Sequence, residues 1–214
     1  MERDSDEAEG PPPSGGRRLI GLGLVLLVAL GLVVALSPGL LDRLRQSAAL
    51  IHPGVITPHF TLTAGDGHQV GEADFRGRYM LILFGYTACA DICPTALAVV
   101  SVALDLLPPA QAERIAPIFV TLDPERDSPA TAAAYAAAFD RRVTGLGGSP
   151  AQIEAALRAF RVYRAKVPGS APDLYTYDHS ALLYLVGPDG GFLATFDPGQ
   201  GGAALADGLA RVVR

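Results

Sequence analysis

The chain has 214 residues, half of them hydrophobic and 18% charged, with a formal net charge of −5 and a mean hydropathy of +0.29. The acidic balance excludes the basic footprint of a nucleic-acid-binding domain, and two cysteines are too few for a disulfide-built scaffold. The hydropathy is too high for a chain soluble throughout and too low for one that crosses a membrane many times, which leaves one domain of ordinary size with an apolar attachment.

Residues 1–18 carry Glu2, Asp4, Asp6, Glu7 and Glu9 ahead of Pro11-Pro12-Pro13-Ser14-Gly15-Gly16. That composition predicts a short disordered cytoplasmic tail, and its acids argue against a mitochondrial transit peptide. The 18 residues from Leu19 to Leu36 contain no charge. At about 1.5 Å per residue a helix of this run reaches roughly 27 Å, just enough for the hydrocarbon core, so 19–36 reads as a single transmembrane helix. Arg17 and Arg18 abut its N-terminal end and favour that end in the cytoplasm. A cleaved signal peptide is the alternative, but the run is longer than a usual signal core and no small-x-small cleavage site follows it. No cysteine stands near residue 37 for a lipoprotein signal. Either reading puts the rest of the chain outside the cytoplasm, in the periplasm or at the cell exterior. Residues 37–53 read as a linker and 54–214 as the folded domain.

Within that domain Phe60–Thr63, a Gly65-Asp66-Gly67 turn and Gln69-Val70 predict a β-hairpin. Tyr79 to Tyr86 is a nearly continuous apolar run, the pattern of a strand buried on both faces. Pro94 to Leu107 follows as a helix with proline in its first turn. Ile115 to Leu122 is a second buried strand. Ser128-Pro129 opens an alanine-rich helix, and Ser149-Pro150-Ala151-Gln152 is a capping box for another, with Ile153, Leu157 and Phe160 as its core stripe. Ala181–Val186 and Phe192–Phe196 flank Gly187-Pro188-Asp189-Gly190, a second hairpin, and Leu205, Leu209 and Val212 or Val213 mark a last helix. This order predicts an α/β sandwich of thioredoxin-like type with an N-terminal β-hairpin.

Cys89 and Cys93 lie four apart, directly after the most buried strand and at the start of a helix. Helical partial positive charge there lowers a thiol's pKa and favours the thiolate, the nucleophile and metal ligand. On a helical turn residues i and i+4 have Cα atoms about 6 Å apart, within reach of a disulfide or of one shared ion. The plainer alternative is a buried or simply disulfide-linked pair. His179, at the entry of an apolar strand, can return to the same end of the sheet, although a lone histidine there is more often an ordinary hydrogen-bonded residue. His52, His59 and His68, in the linker and first hairpin, take that ordinary reading. Two thiolates and an imidazole would form a soft set suited to copper, or to zinc with a fourth ligand that is not visible at motif spacing. A blue-copper electron carrier needs two histidines and usually a methionine, whereas Met80 is placed inside a buried strand.

Three segments then resemble one family. Phe84-Gly85-Tyr86-Thr87-Ala88-Cys89-Ala90-Asp91-Ile92-Cys93-Pro94-Thr95, Val120-Thr121-Leu122-Asp123-Pro124-Glu125-Arg126-Asp127-Ser128-Pro129, and Tyr177-Asp178-His179-Ser180 with Leu185-Val186-Gly187-Pro188-Asp189-Gly190 behind it are similar, in order, to the motifs of the Sco/SenC copper-binding proteins. The resemblance spans roughly Gly54 to Leu209. It implies a thioredoxin-like fold with copper held by Cys89, Cys93 and His179. It also implies copper delivery, or thiol reduction, during assembly of the binuclear copper centre of cytochrome c oxidase. The partners it implies are the copper-bearing subunit of that oxidase or another copper chaperone. Asp123 matches a family aspartate near the site and takes a supporting place behind the ligands, against the plainer role of a helix-entry turn residue. Ala88 and Ala90 stand where the family often has histidine and proline, which bears on the stiffness of the loop and not on the ligands. The competing expectation is a thiol–disulfide oxidoreductase or peroxidase on the same fold. Reductases of that fold normally place two residues between their cysteines, whereas Ala90, Asp91 and Ile92 stand between these.

Overall fold

The computed structural model describes residues 58–170 and 174–214. The tail, anchor and linker expected over 1–53 lie outside the described residues, as does His52.

The N-terminal hairpin is β1 (Thr61–Ala64) and β2 (Gln69–Gly71), antiparallel with Leu62 opposite Val70. The two apolar runs become β3 (Tyr79–Gly85) and β4 (Ile115–Thr121), buried at every residue. They lie parallel, with Leu83 opposite Phe119. Helix α1 (Ile92–Leu106) and a short α2 (Pro109–Ala112) connect them. Helix α3 (Pro129–Phe139) is N-capped by Ser128, whose side chain accepts from the Thr131 amide. β5 (Thr144–Gly147) leads to α4 (Pro150–Phe160), where Ser149 and Gln152 form the predicted capping box and satisfy amides that a helix start leaves unpaired. After β6 (Arg164–Pro168) and β7 (Tyr175–His179), the second predicted hairpin appears as β8 (Leu183–Val186) and β9 (Phe192–Phe196), and α5 (Gly202–Val212) ends the chain.

Among the described residues the sheet has seven strands in the order β2-β1-β5-β4-β3-β8-β9. Side chains alternate across a strand, so β3 feeds two cores. Met80, Ile82 and Phe84 pack with Ile153, Leu157 and Phe160 of α4 on one face. Leu81 and Leu83 pack with Leu97 and Leu104 of α1, Ala132 and Ala136 of α3, and Leu205 and Leu209 of α5 on the other. The result is the α/β, thioredoxin-like sandwich with a mixed sheet that the order of elements predicts.

Several elements depart from the sequence expectations. β5 gives no periodic apolar signal because α3 packs directly on its backbone: a Cβ on Gly145 would stand 2.3 Å from the carbonyl oxygen of Ala132. β6 and β7 form a separate two-stranded ribbon, whose polar alternation reads as loop. Helix α1 begins at Ile92 rather than Pro94, which takes Cys93 into its first turn. His179 does not open the apolar strand but closes β7, and Ser180 to Leu182 intervene before β8.

Candidate metal centre

β3 ends at Gly85, and the chain crosses to α1 through a loop in which the Cys89 amide donates to the Tyr86 carbonyl at 3.1 Å. Cys89 therefore sits in the loop and Cys93 in the helix. This corrects the expectation of two cysteines on one helical turn. The loop nonetheless brings them together, for the Cys93 amide donates to the Cys89 sulfur at 3.4 Å. The helix N-cap residue, Asp91, makes no side-chain cap, so the Cys89 sulfur accepts one of the amides that the helix start leaves free. Cys89 is half-buried and Cys93 fully buried, and neither is in a disulfide.

Gly85 is part of how Cys93 is seated. A Cβ there would lie 2.6 Å from the Cys93 sulfur and 3.0 Å from the Phe119 ring, so the sulfur occupies the place of the absent side chain. Such burial pushes the Cys93 thiol well above its ordinary range, because taking the charged thiolate out of water outweighs the favourable helix terminus. In the metal-free protein this reverses the expectation of a readily formed thiolate at Cys93.

His179 reaches the same place from 86 residues further along the chain, with its Nε2 3.9 Å from the Cys93 sulfur. Its ring stands edge-on to Tyr86 at 5.9 Å between centroids. Burial holds the imidazole pKa below the usual histidine value, and the neutral ring so favoured is the form that can ligate a metal. Nδ1 is buried and has no hydrogen-bond partner among the described residues. Two soft sulfur donors and a neutral imidazole whose Nε2 faces one of them suit a copper ion. As they stand the three side chains do not form a closed cage, and no such group of histidine, cysteine and carboxylate side chains is found among the described residues.

Asp123 is fully buried and bonds to neither cysteine nor to His179. Its carboxylate takes the Nε of Arg126 and, at 2.9 Å, the hydroxyl of Tyr175. Asp127, which the sequence reading did not single out, is also buried. It accepts from the amide of Thr87 at 2.9 Å, from the Thr87 hydroxyl at 2.5 Å and from the Thr121 hydroxyl at 2.6 Å, fastening the cysteine loop to the end of β4. Arg126, Tyr86 and Tyr175 also escaped the sequence reading. The only available signal was a second carboxylate and an arginine just ahead of the Ser128-Pro129 helix start. His59 and His68 pair on the surface with Glu72 at 2.6 Å and Asp66 at 2.5 Å, as their ordinary reading implies, and Met80 is buried inside β3.

Comparison with known proteins follows the same lines. The family model described as SCO1/SenC matches residues 49–214. The mitochondrial SCO1 homolog of Mus musculus is 31% identical over 221 aligned residues, covering 96% of this chain and 78% of that protein. The structure of Bradyrhizobium japonicum ScoI with copper bound is 40% identical, with a TM-score of 0.65 over 72% of this chain and 96% of that one. BsSco, described as a member of the Sco family of cytochrome c oxidase assembly proteins and as carrying a disulfide switch, is 26% identical with a TM-score of 0.53, covering 72% of this chain and 90% of its own.

Proposed function

This chain belongs to the SCO1/SenC family, and from that premise we propose that it is a membrane-anchored copper chaperone which holds copper through Cys89, Cys93 and His179. It delivers the ion to the copper-bearing subunit of cytochrome c oxidase, or to another copper chaperone, during assembly of the oxidase. The observation that supports the reading is the approach of His179 Nε2 to the Cys93 sulfur at 3.9 Å, an imidazole nitrogen within reach of one of the chain's two thiols. Leu19 to Leu36 serves as the anchor, with the tail of residues 1–18 in the cytoplasm and the domain of 54–214 facing the periplasm or cell exterior. Asp123 supports the site without binding the ion, through its bonds to Arg126 and Tyr175.

Copper is the cargo. Burial of Cys93 favours its protonated thiol, so loading displaces a thiol proton and binding should strengthen as pH rises. A second reading has a specific observation behind it: the Cys93 amide on the Cys89 sulfur sets the two cysteines side by side, as an oxidoreductase requires. In that role the two thiols become a disulfide while a disulfide of the oxidase subunit becomes two thiols, and the two electrons and two protons pass between them. Peroxidase chemistry would use the same pair with a peroxide as the oxidant.

The test uses the purified chain in detergent, loaded with Cu(II). One copper per chain is expected, with a sulfur-to-copper charge-transfer band, and the band should be lost or shifted in Cys89→Ser, Cys93→Ser and His179→Ala. Thiol counting should find both cysteines unavailable to oxidation while copper is bound, and a disulfide formed when the metal-free protein meets an oxidant. The same stoichiometry and spectrum in all three variants would overturn the ligand assignment. Copper bound to a chain whose cysteines stay disulfide-linked would move the reading to the oxidoreductase.

A further inference from the structure

His179 is not on the sheet that leads into the two cysteines. The cysteines follow β3 of the main sheet, whereas β6 and β7 pair only with each other. No strand hydrogen bonding joins this ribbon to the main sheet, so beyond the three-residue link from His179 to β8 the imidazole is held relative to the sulfurs by side chains, among them Arg164 opposite His179, which donates to the Leu122 carbonyl and pairs with Glu154. The loop between β4 and α3 supplies most of them. Arg126 Nη1 donates to the Tyr175 carbonyl at 3.0 Å. Its guanidinium lies 3.7 Å over the Tyr175 ring and 5.7 Å from the centre of the Tyr86 ring. Its Nε pairs with Asp123, and the same carboxylate takes the Tyr175 hydroxyl. Tyr86, so braced, stands edge-on to Tyr177 at 5.6 Å and to His179 at 5.9 Å. Further out, the Lys166–Glu125 pair at 2.7 Å is solvated and holds little. The cysteine loop is tied to the same segment by Asp127.

We infer that Arg126 is a positioning residue for His179: anchored by Asp123, it fastens the β6–β7 ribbon through Tyr175 and braces Tyr86 against the imidazole, and so sets how closely His179 meets the Cys93 sulfur. The inference rests on His179 being a copper ligand. Arg126 itself has no bond to any of the three. Arginine suits the task because a planar fork can donate to a carboxylate and a carbonyl while its face stacks on a ring, and a lysine ammonium cannot.

Two readouts on the full chain in detergent test this, one of them without metal. In the metal-free protein Arg126→Met should speed hydrogen exchange of the β6 and β7 amides by about tenfold or more while β3 and β4 are unchanged. With copper, the charge-transfer spectrum of Arg126→Met should move to that of His179→Ala, with affinity lower by about tenfold. Arg126→Lys should not restore either property, and Arg126→Met with His179→Ala should bind no more weakly than His179→Ala alone. Arg126→Met leaves a buried carboxylate without its partner, so Asp123→Asn with Arg126→Met is measured beside it and should behave alike if the fold is kept. Unchanged ribbon exchange in either variant, full restoration by lysine, or additive losses in the combined variant would overturn the inference. If the ribbon loosens while His179→Ala keeps the wild-type copper spectrum, the copper-ligand reading fails and the fastening role of Arg126 stands.

Discussion

Cys93 answers to two demands at once. Its sulfur fills the space left by the missing side chain of Gly85, which keeps it dry, and it must still present that sulfur to an imidazole 3.9 Å away. The space is the vulnerable part. Gly85→Ala puts a methyl group 2.6 Å from the sulfur and 3.0 Å from Phe119, contacts that real Cβ atoms essentially never make or make only with some shift of the neighbour. The expected outcome is a loss of about 1–3 kcal/mol in stability from overpacking, with a displaced sulfur and weaker copper binding. Thermal melting and a copper titration check both, and a variant that melts and binds as the wild type does would show that the seat is not tight. Asp127 acts at the same scale. Its buried carboxylate takes two bonds from Thr87, two residues ahead of Cys89, and one from Thr121 at the end of β4, and so holds the loop.

Among the elements, α3 is joined to α1 by a small polar clasp. Asp140, just past the end of α3, accepts from Ser101 of α1 at 2.9 Å and pairs with Arg142 at 2.5 Å, which also reaches Asp105 of α1 at 2.6 Å. Hydrogen bonds from the Arg142 guanidinium hold the Asp140 carboxyl down to about 2, against about 3.9 in an unfolded chain. A carboxyl with a depressed folded pKa adds stability that is full above its unfolded pKa and is lost as the pH falls through the folded one. The clasp should therefore add about 1–2 kcal/mol at neutral pH, after allowance for the part-exposed Arg142. That contribution should fade between about pH 4 and pH 2. Denaturant unfolding of wild type and Asp140→Asn across that range is the measurement. A difference that does not shrink on acidification would remove Asp140 as its source.

For the molecule as a whole, the proposed tether matters as much as the site. An ion carrier held in the same membrane as its recipient meets it at a raised effective concentration, and in the proposed arrangement residues 37–53 would set the reach above the bilayer. Deleting the protein should lower cytochrome oxidase activity when copper is scarce, and added copper should at least partly restore it. A thiol-reductant rescue without a copper rescue would assign the protein to disulfide reduction instead. Oxidase activity measured in the deletion strain at low copper, with each addition in turn, separates the two, and normal activity throughout would count against both.

The parts legible in the sequence are those whose signal is local. Continuous apolar runs announce β3 and β4 because a strand covered on both faces needs apolar side chains at every position. Ser149 and Gln152 announce α4 because a helix start must satisfy its own free amides. Cys89 and Cys93 stand out by chemistry and spacing alone, and three ordered motifs were enough to identify the family. Tertiary structure decided what depends on neighbours distant in the chain. β5 is a strand because it pairs between β1 and β4, and the α3 backbone pressed on Gly145 requires a glycine there, which leaves no apolar pattern to read. The β6–β7 ribbon is joined to the rest of the domain by Arg126, Asp123 and Tyr175 and by Arg164, polar and aromatic groups whose pairing no periodicity encodes. The thiol of Cys93 is raised rather than lowered because desolvation is set by everything packed around a sulfur, while the helix terminus that a sequence reveals is only one of its neighbours.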